Sequence, residues 1–480
     1  MPPAEFQRLG RETSDWIADY LASVRTFPVF PSLKPGSIRD ALPAEAPDFG
    51  DSMDEILADF RSVVVPGLNH WNHPAFYGYF SVTASGPGIL GEMLTAALNV
   101  NAMVWRSSPV ATELEDVTTD WLRALLGLPQ PFEGVINDTA SSSTLYALAA
   151  ARGVAYPEVQ EDGLFGLPRG RVYASEQAHS SVEKAVMAMG FGRRGYRTVP
   201  TNSRFEMDVD ALSETIRRDV DEGVRPVAVV ATLGTTSTAS IDPVGEVAAV
   251  AREHGAWLHV DAAYGGPAAM LPELRSRFAG WGEADSVVVN PHKWLFTPID
   301  CSVLFCRRPD ELVRAFSLVP EYLSSSEAAS ARSLMDYGVS LGRRFRSLKL
   351  WFVLRYFGRQ GLVARIRHHI ELARELASWI EAEPGWSVLA PVELAAVAFR
   401  YTSEAGGSHT DELNHAILER VNASGAAFIT HTSLNGQTVL RVAVGNIKTT
   451  REDVEQLWTL LREVAESVEA EGAGAASTGS

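Results

Sequence analysis

Apolar positions first recur at helical spacing. Phe6, Leu9, Ile17, Leu21 and Val24 predict a helix over residues 4–25, and Pro28, Pro31 and Pro35 then break it. An extended arm of this kind is expected to pack on a neighbouring subunit. From about residue 86 the pattern changes. Helical stretches at 112–126 and 141–152 alternate with short apolar runs. Val227–Ala231, Trp257–Val260, Ser286–Val289 and Ser302–Phe305 read as buried strands, and Val244–His254 reads as a helix between the first two. This alternation predicts an α/β fold with a mostly parallel sheet covered on both faces. Helical periodicity returns over 345–383. Leu394–Phe399 and Val439–Val444 follow as strands, and 410–423 and 451–468 as helices. The expected organisation is an N-terminal helical arm (1–85), a large domain (86–360), a small C-terminal α/β domain (361–470) and a disordered tail of small polar residues (471–480).

Composition narrows the class. The chain has 480 residues, 46% hydrophobic and 21% charged, so a large core is affordable and global disorder is not indicated. A net charge of −17 repels phosphate backbones and anionic membrane surfaces, so neither nucleic acid nor membrane is expected as a partner. No apolar run reaches the ~18 residues that span a bilayer, and no signal peptide is evident, so a cytoplasmic location is expected. The two cysteines, Cys301 and Cys306, fit neither a redox nor a zinc spacing. The eleven histidines show no HExxH clustering, so no metal site is expected.

Candidate chemistry gathers at the ends of the apolar runs. Asn290-Pro-His-Lys-Trp294 follows one of them directly. A solvated loop lysine would be the plain reading of Lys293 alone. Asp261, in Leu258-His-Val-Asp-Ala-Ala-Tyr-Gly-Gly266, ends another run among small residues. A carboxylate buried there needs a cationic partner, and the protonated ring nitrogen of pyridoxal phosphate, an electron-sink cofactor, is one. Ala231-Thr-Leu-Gly-Thr-Thr-Ser237 ends a third. Polar residues at the carboxyl ends of three successive strands predict a cofactor cleft. Asn137-Asp-Thr-Ala-Ser-Ser-Ser-Thr144 opens a helix and offers free N–H groups and hydroxyls to a phosphate, although an ordinary N-cap has the same look; Asp138 must then point away. His179, in Ser175-Glu-Gln-Ala-His-Ser-Ser-Val182, sits at a strand-to-helix junction where an imidazole could stack on a flat ring.

Several longer stretches bear a family likeness. These are His70-Trp71 with Pro74 and Tyr79-Phe80; Ser108-Pro-Val-Ala-Thr-Glu-Leu-Glu115; His179-Ser-Ser-Val-Glu-Lys184; His259-Val-Asp-Ala-Ala263; Asn290-Pro-His-Lys-Trp294; and Leu341-Gly-Arg-Arg-Phe-Arg-Ser-Leu-Lys-Leu-Trp351. From about residue 4 to 465 the chain resembles the group II pyridoxal-phosphate decarboxylases, in their aromatic-L-amino-acid decarboxylase branch. The resemblance implies a fold-type I, PLP-dependent transferase-like architecture with a seven-stranded large-domain sheet, and a homodimer with shared active sites. It implies that Lys293 carries the cofactor, Asp261 pairs with its ring nitrogen, Ala263 lies under the ring and His179 stacks on it. Ala140, Ser141 and Asn290 would hold the phosphate, and Thr236 and His292 would line the cofactor. Trp71, Tyr79, Phe80, Val82 and Met103 would face the substrate. The proton donor that completes decarboxylation would be Tyr337, on a loop that the Ala/Ser-rich Glu327–Arg332 stretch would make mobile as a lid.

The chain departs from the animal pattern in places. Three residues separate Tyr337 from Leu341, fewer than in animal members; Asp138-Thr-Ala-Ser141 stands where they carry Gly-Ser-Ala-Ser; Val82 replaces a threonine; and Asn72, Met103 and Val104 differ near the expected pocket. These changes shift the expected substrate from L-dopa to aromatic amino acids as a class, which Trp71, Tyr79, Phe80 and Trp105 suit. Three other readings stay open: oxidative decarboxylation to an aldehyde and ammonia, an acidic substrate met by Arg106, and a structural homologue that binds no cofactor.

Overall fold

A computed structural model describes residues 1–318, 331–403 and 410–478. The expected lid residues 327–330 lie outside them. Contacts divide the chain into two units, one of 1–81, 378–387 and 399–480, the other of 82–377 and 388–398.

The second unit is built on seven strands: β1 (Glu133–Asn137), β2 (Gly170–Ser175), β3 (Tyr196–Val199), β4 (Arg225–Thr232), β5 (Trp257–Asp261), β6 (Ser286–Val289) and β7 (Ser302–Cys306). Their order is β1-β7-β6-β5-β4-β2-β3. Pairs β3·β2, β2·β4, β4·β5 and β5·β6 are parallel, and β7 alone runs against both its neighbours, β6 and β1. The expected mostly parallel sheet is therefore present, with β1, β2 and β3 added to the strands legible as apolar runs. Every residue of β5, β6 and β7 is buried. Strands covered on both faces must be apolar throughout, so their polar residues collect at the ends.

The first unit carries a smaller sheet, ordered β10-β11-β9-β8, of β8 (Trp386–Val388), β9 (Ala396–Tyr401), β10 (Thr430–Leu434) and β11 (Gln437–Ala443). The arm and the C-terminal residues, expected as separate domains, pack together here. Tyr77 N–H donates to Phe428 O at 2.8 Å, Ala443 N–H to Tyr77 O at 2.9 Å and Val29 N–H to Gly425 O at 2.8 Å. Chain from the arm thus satisfies backbone groups around the small sheet that would otherwise be orphaned. The last helix runs Arg451–Thr478 and takes in most of the segment expected as a disordered tail. The long helix Ser347–Ala382 is interrupted at Gly358, whose φ of 59° lies in the left-handed region that glycine tolerates.

The charged residues in two of the family-like stretches are structural. Arg343 pairs with Glu115 at 2.9 Å with both side chains buried. Arg343 also donates to Ile136 O at 2.8 Å, and Glu115 accepts from Ile136 N–H at 2.8 Å, so the pair clamps β1. Arg346 meets Asp300 through two bonds of 2.9 and 3.1 Å. Lys349, fully buried, lies 2.9 Å from Glu92. Removing one partner of a buried pair leaves a charge without compensation. Glu115→Ala is expected to cost about 3–5 kcal/mol, read as a fall of several degrees in the thermal midpoint.

Candidate active site

The carboxyl ends of the parallel strands assemble the expected residues. Asp261 ends β5, and its Oδ1 accepts from Ala263 N–H at 3.0 Å. Asn290, after β6, donates its N–H to Ala263 O at 3.2 Å. Lys293 sits on the single turn Pro291–Trp294, where its N–H reaches Asn290 O at 2.9 Å. Asp261, Ala263, Asn290 and Lys293 are thus tied in one chain of short contacts. The next residue fixes that turn further. Trp294 is buried, stacks on Tyr264 at 4.8 Å, and donates from Nε1 to His369 Nδ1 at 3.0 Å.

His179 joins this group. Partial burial holds its pKa below the ordinary imidazole value, with the carboxylate of Asp261 pulling up and the ammonium of Lys293 pushing down. Its Nδ1 accepts from Ser181 N–H at 3.2 Å and lies 2.8 Å from Ser181 Oγ. Because a backbone N–H can only donate, the ring proton belongs on Nε2. The residue is exposed. His292 is buried, its Nδ1 accepts from Cys301 N–H at 2.9 Å, and burial, then the charge of Lys293, lowers its pKa to about 3. Thr236 is exposed on the loop after β4. That loop is shaped by hydroxyl contacts Thr235–Thr238 (2.9 Å) and Thr238–Ser240 (2.8 Å) and by Gly234 at φ +94°.

The helix Ala140–Ala155 places Ala140 and an exposed Ser141 in its first turn. Asp138 accepts from Thr139 N–H at 2.7 Å, at the N-terminus of this helix. Polar groups inside the sheet hold this helix. Ser143 Oγ takes Asn137 Nδ2 at 3.1 Å and meets Ser302 Oγ at 3.0 Å. Thr144 Oγ1 meets His259 Nε2 at 3.3 Å, and His259 Nδ1 meets Ser286 Oγ at 2.8 Å. These anchors were not singled out from the sequence. The available signal was a histidine inside an otherwise apolar strand.

Three buried oxygens gather at this edge. Ser175 Oγ at the end of β2, Thr232 Oγ1 at the end of β4 and Asn290 Oδ1 after β6 are buried without a hydrogen-bond partner among the described residues. Orphaned buried oxygens cost free energy unless a ligand or water meets them. Turning the Asn290 amide end for end presents a donor, which a phosphate oxygen accepts. The residues present therefore fit a phosphorylated pyridine aldehyde, with an amine, a carboxylate and an imidazole around one spot and a helix N-terminus beside them.

Other expected residues belong to other parts of the chain. Trp71, Tyr79 and Phe80 belong to the first unit, where Trp71 stacks on Tyr79 at 5.7 Å and Arg441 lies over the Phe80 ring at 4.4 Å. Val82 and Met103 belong to the second, and Met103 O accepts from Met335 N–H at 3.0 Å. Arg106 is exposed. Tyr337 is not brought to the Lys293 group: it packs in the core with Tyr146 and Leu304, and its hydroxyl accepts from Arg332 Nε at 3.2 Å. A residue expected on a mobile loop is thus buried, because its ring fills an apolar layer and its hydroxyl finds a cation there.

Comparison with known proteins agrees with this geometry. A family model described as the pyridoxal-dependent decarboxylase conserved domain matches residues 35–402. The aromatic-L-amino-acid decarboxylase of Sus scrofa is 40% identical, over 97% of this chain and 97% of its own length. A phenylacetaldehyde synthase of Arabidopsis thaliana is 37% identical, over 97% and 96%. The structure of Oryza sativa TDC with PLP and tryptamine superposes with a TM-score of 0.94 at 37% identity, covering 97% of this chain and 99% of that one.

The buried imidazoles set a pH limit. Burial lowers His259 to about 4 and His292 to about 3. Below about pH 6.5 the unfolded chain protonates both rings while the folded chain keeps them neutral. The stability they contribute is complete above pH 6.5 and is lost as pH falls toward 4, at about 1.4 kcal/mol per ring per pH unit. Thermal midpoints are expected to drop steadily from pH 6.5 to 4.5, with a shallower slope in His292→Asn.

Proposed function

The chain belongs to the pyridoxal-dependent decarboxylase family and is a PLP-dependent amino-acid decarboxylase, and from that premise we propose that it converts aromatic L-amino acids to the amine and carbon dioxide. The observation that carries the site is the convergence of Lys293, Asp261 and His179, with three unpaired buried oxygens, at one sheet edge. The aromatic substrate is supported by relatives near 40% identity that are named for aromatic amino acids or for tyrosine.

Bound pyridoxal phosphate supplies a cationic ring that takes up the electron pair left when the carboxylate departs. The chain's own residues prepare that event. Lys293 would hold the cofactor through its amine. Asp261 keeps the ring nitrogen protonated by pairing with it in a buried setting. His179 covers the ring with a neutral imidazole. Ala263 leaves room beneath it. Ala140, Ser141 and Asn290 hold the phosphate at the helix N-terminus, and Thr236 and His292 close the sides. Tyr337, once released from its contact with Arg332, would return the proton to the α-carbon. Val82 and Met103 would face the substrate.

The active form is a homodimer with shared sites, located in the cytoplasm. Leu90, Leu94 and Leu98 on the helix Gly86–Leu98, and Val110 and Trp121 on the helix Pro109–Leu126, are exposed, and clustered exposed apolar side chains mark interfaces. Among the described residues no helix is long and apolar enough to cross a membrane.

A second reading is favoured by the phenylacetaldehyde synthase relative. There the amino acid, dioxygen and water give aldehyde, carbon dioxide, ammonia and hydrogen peroxide. The holoenzyme is tested against tryptophan, tyrosine, phenylalanine, L-dopa, glutamate and aspartate, with carbon dioxide, amine and ammonia measured separately. Amine equal to carbon dioxide on an aromatic substrate is expected. Ammonia equal to carbon dioxide would move the chain to the oxidative reaction, and turnover of glutamate alone would refute the aromatic assignment. Lys293→Ala is expected to fold with an unchanged thermal midpoint for the cofactor-free protein and to lose all measurable turnover.

A further inference from the structure

Tyr337 lies toward the opposite edge of the sheet from Lys293. Strand β7 runs antiparallel to both β6 and β1, so β6 and β1 run the same way. The carboxyl end of β1, Asn137, therefore shares the Lys293 edge, and its amino end, Glu133–Gly134, is at the other. The hydroxyl of Tyr337 is held there. Arg332 donates from Nη2 to Gly134 O at 3.1 Å and from Nε to the Tyr337 hydroxyl at 3.2 Å, and its guanidinium covers the Tyr337 ring at 4.5 Å. Gly134 is three residues from Asn137, roughly 10 Å along the strand. Arg332 Nη1 pairs with Asp116, and Glu133 lies 3.9 Å away. The ring is 8% exposed. Behind it, Gly338 packs so closely on Tyr146 that a Cβ would come within 2.6 Å of that ring. A phenol so enclosed touches no substrate.

We propose that Arg332 is the positioning residue of Tyr337: with Asp116 it stores the phenol away from the cofactor edge, and release of this contact sets how much product leaves as amine rather than aldehyde. The proposal rests on reading Tyr337 as the proton donor. Amine formation needs a proton returned to the α-carbon. While the phenol is stored that proton is not supplied, and dioxygen can take the electron pair instead, giving the aldehyde, ammonia and peroxide. Asp116 is the handle: it is partly exposed, lies outside the catalytic group, and as asparagine keeps its shape without its charge.

The holoenzymes of the wild type, Asp116→Asn, Arg332→Lys, Tyr337→Phe and the double variant Asp116→Asn/Tyr337→Phe are compared on one aromatic substrate. Carbon dioxide, amine and ammonia are measured, with amide hydrogen exchange over 334–338. Asp116→Asn is expected to speed exchange there and raise amine-forming kcat about three-fold at unchanged KM, the size of effect a partly exposed ion pair has on an equilibrium. Arg332→Lys, which keeps the charge but loses the fork, is expected to fall between wild type and Asp116→Asn. The double variant is expected to lose the gain entirely. A gain that persists in the double variant, or faster exchange with no change in rate or product ratio, overturns the storage role. An unchanged ammonia-to-carbon-dioxide ratio in Tyr337→Phe instead overturns Tyr337 as proton donor, and the two failures are thereby told apart.

Discussion

Everything at the candidate site depends on the common direction of β2, β4, β5 and β6. A sheet buried on both faces excludes polar side chains from the middle of its strands, because an unpaired polar atom there has no water to turn to. Polar groups can be kept only where a strand ends, and parallel strands end on the same side. Ser175, Thr232, Asp261 and Asn290 accordingly face one edge from four separate places in the chain. No single one of them makes a site. Together they leave a patch of unmet hydrogen-bonding capacity that a small, flat, charged cofactor would satisfy.

That edge keeps its geometry because the elements behind it are pinned by charge and by buried hydroxyls. Glu115 and Arg343 clamp β1 from outside. The pairs Thr144–His259 and Ser143–Ser302 clamp the phosphate-side helix from within. Buried polar pairs of this kind add little net stability over apolar packing, yet each tolerates one register. Their effect is to fix where the first turn of the helix Ala140–Ala155 stands. The same burial explains why the neutral histidines His259 and His292 lie so far below their ordinary pKa: a second proton would lose its water, and the nearby carboxylates offset only part of that cost.

The reversed strand β7 divides the second unit. It returns the chain so that β1 lies beside it with its amino end away from the cofactor edge. The cation–phenol contact at that far end gives Tyr337 a home that competes with any catalytic position. On the proposed reading, the choice between returning a proton and losing electrons to dioxygen depends on where that one ring resides.

The sequence by itself determined the parallel core and the chemistry at its ends. Apolar runs of four or five residues followed by Asp261, Asn290 or Thr232 are legible because burial on two faces and a polar terminus are both local properties. Lys293 and His179 were legible through the motifs around them. What tertiary structure decided was everything that needs a distant partner. Strand direction is not written in an apolar run, so the reversal of β7 was not readable. The charges of the Leu341–Trp351 stretch gave no sign that Arg343, Arg346 and Lys349 would be spent on Glu115, Asp300 and Glu92. The arm reads as an extension that packs on a neighbouring subunit, and nothing in the pattern shows that Tyr77 N–H would donate to Phe428 O of the same chain. Tyr337 was expected on a loop through the family resemblance alone. Only the fold supplies the apolar layer and the arginine that bury it.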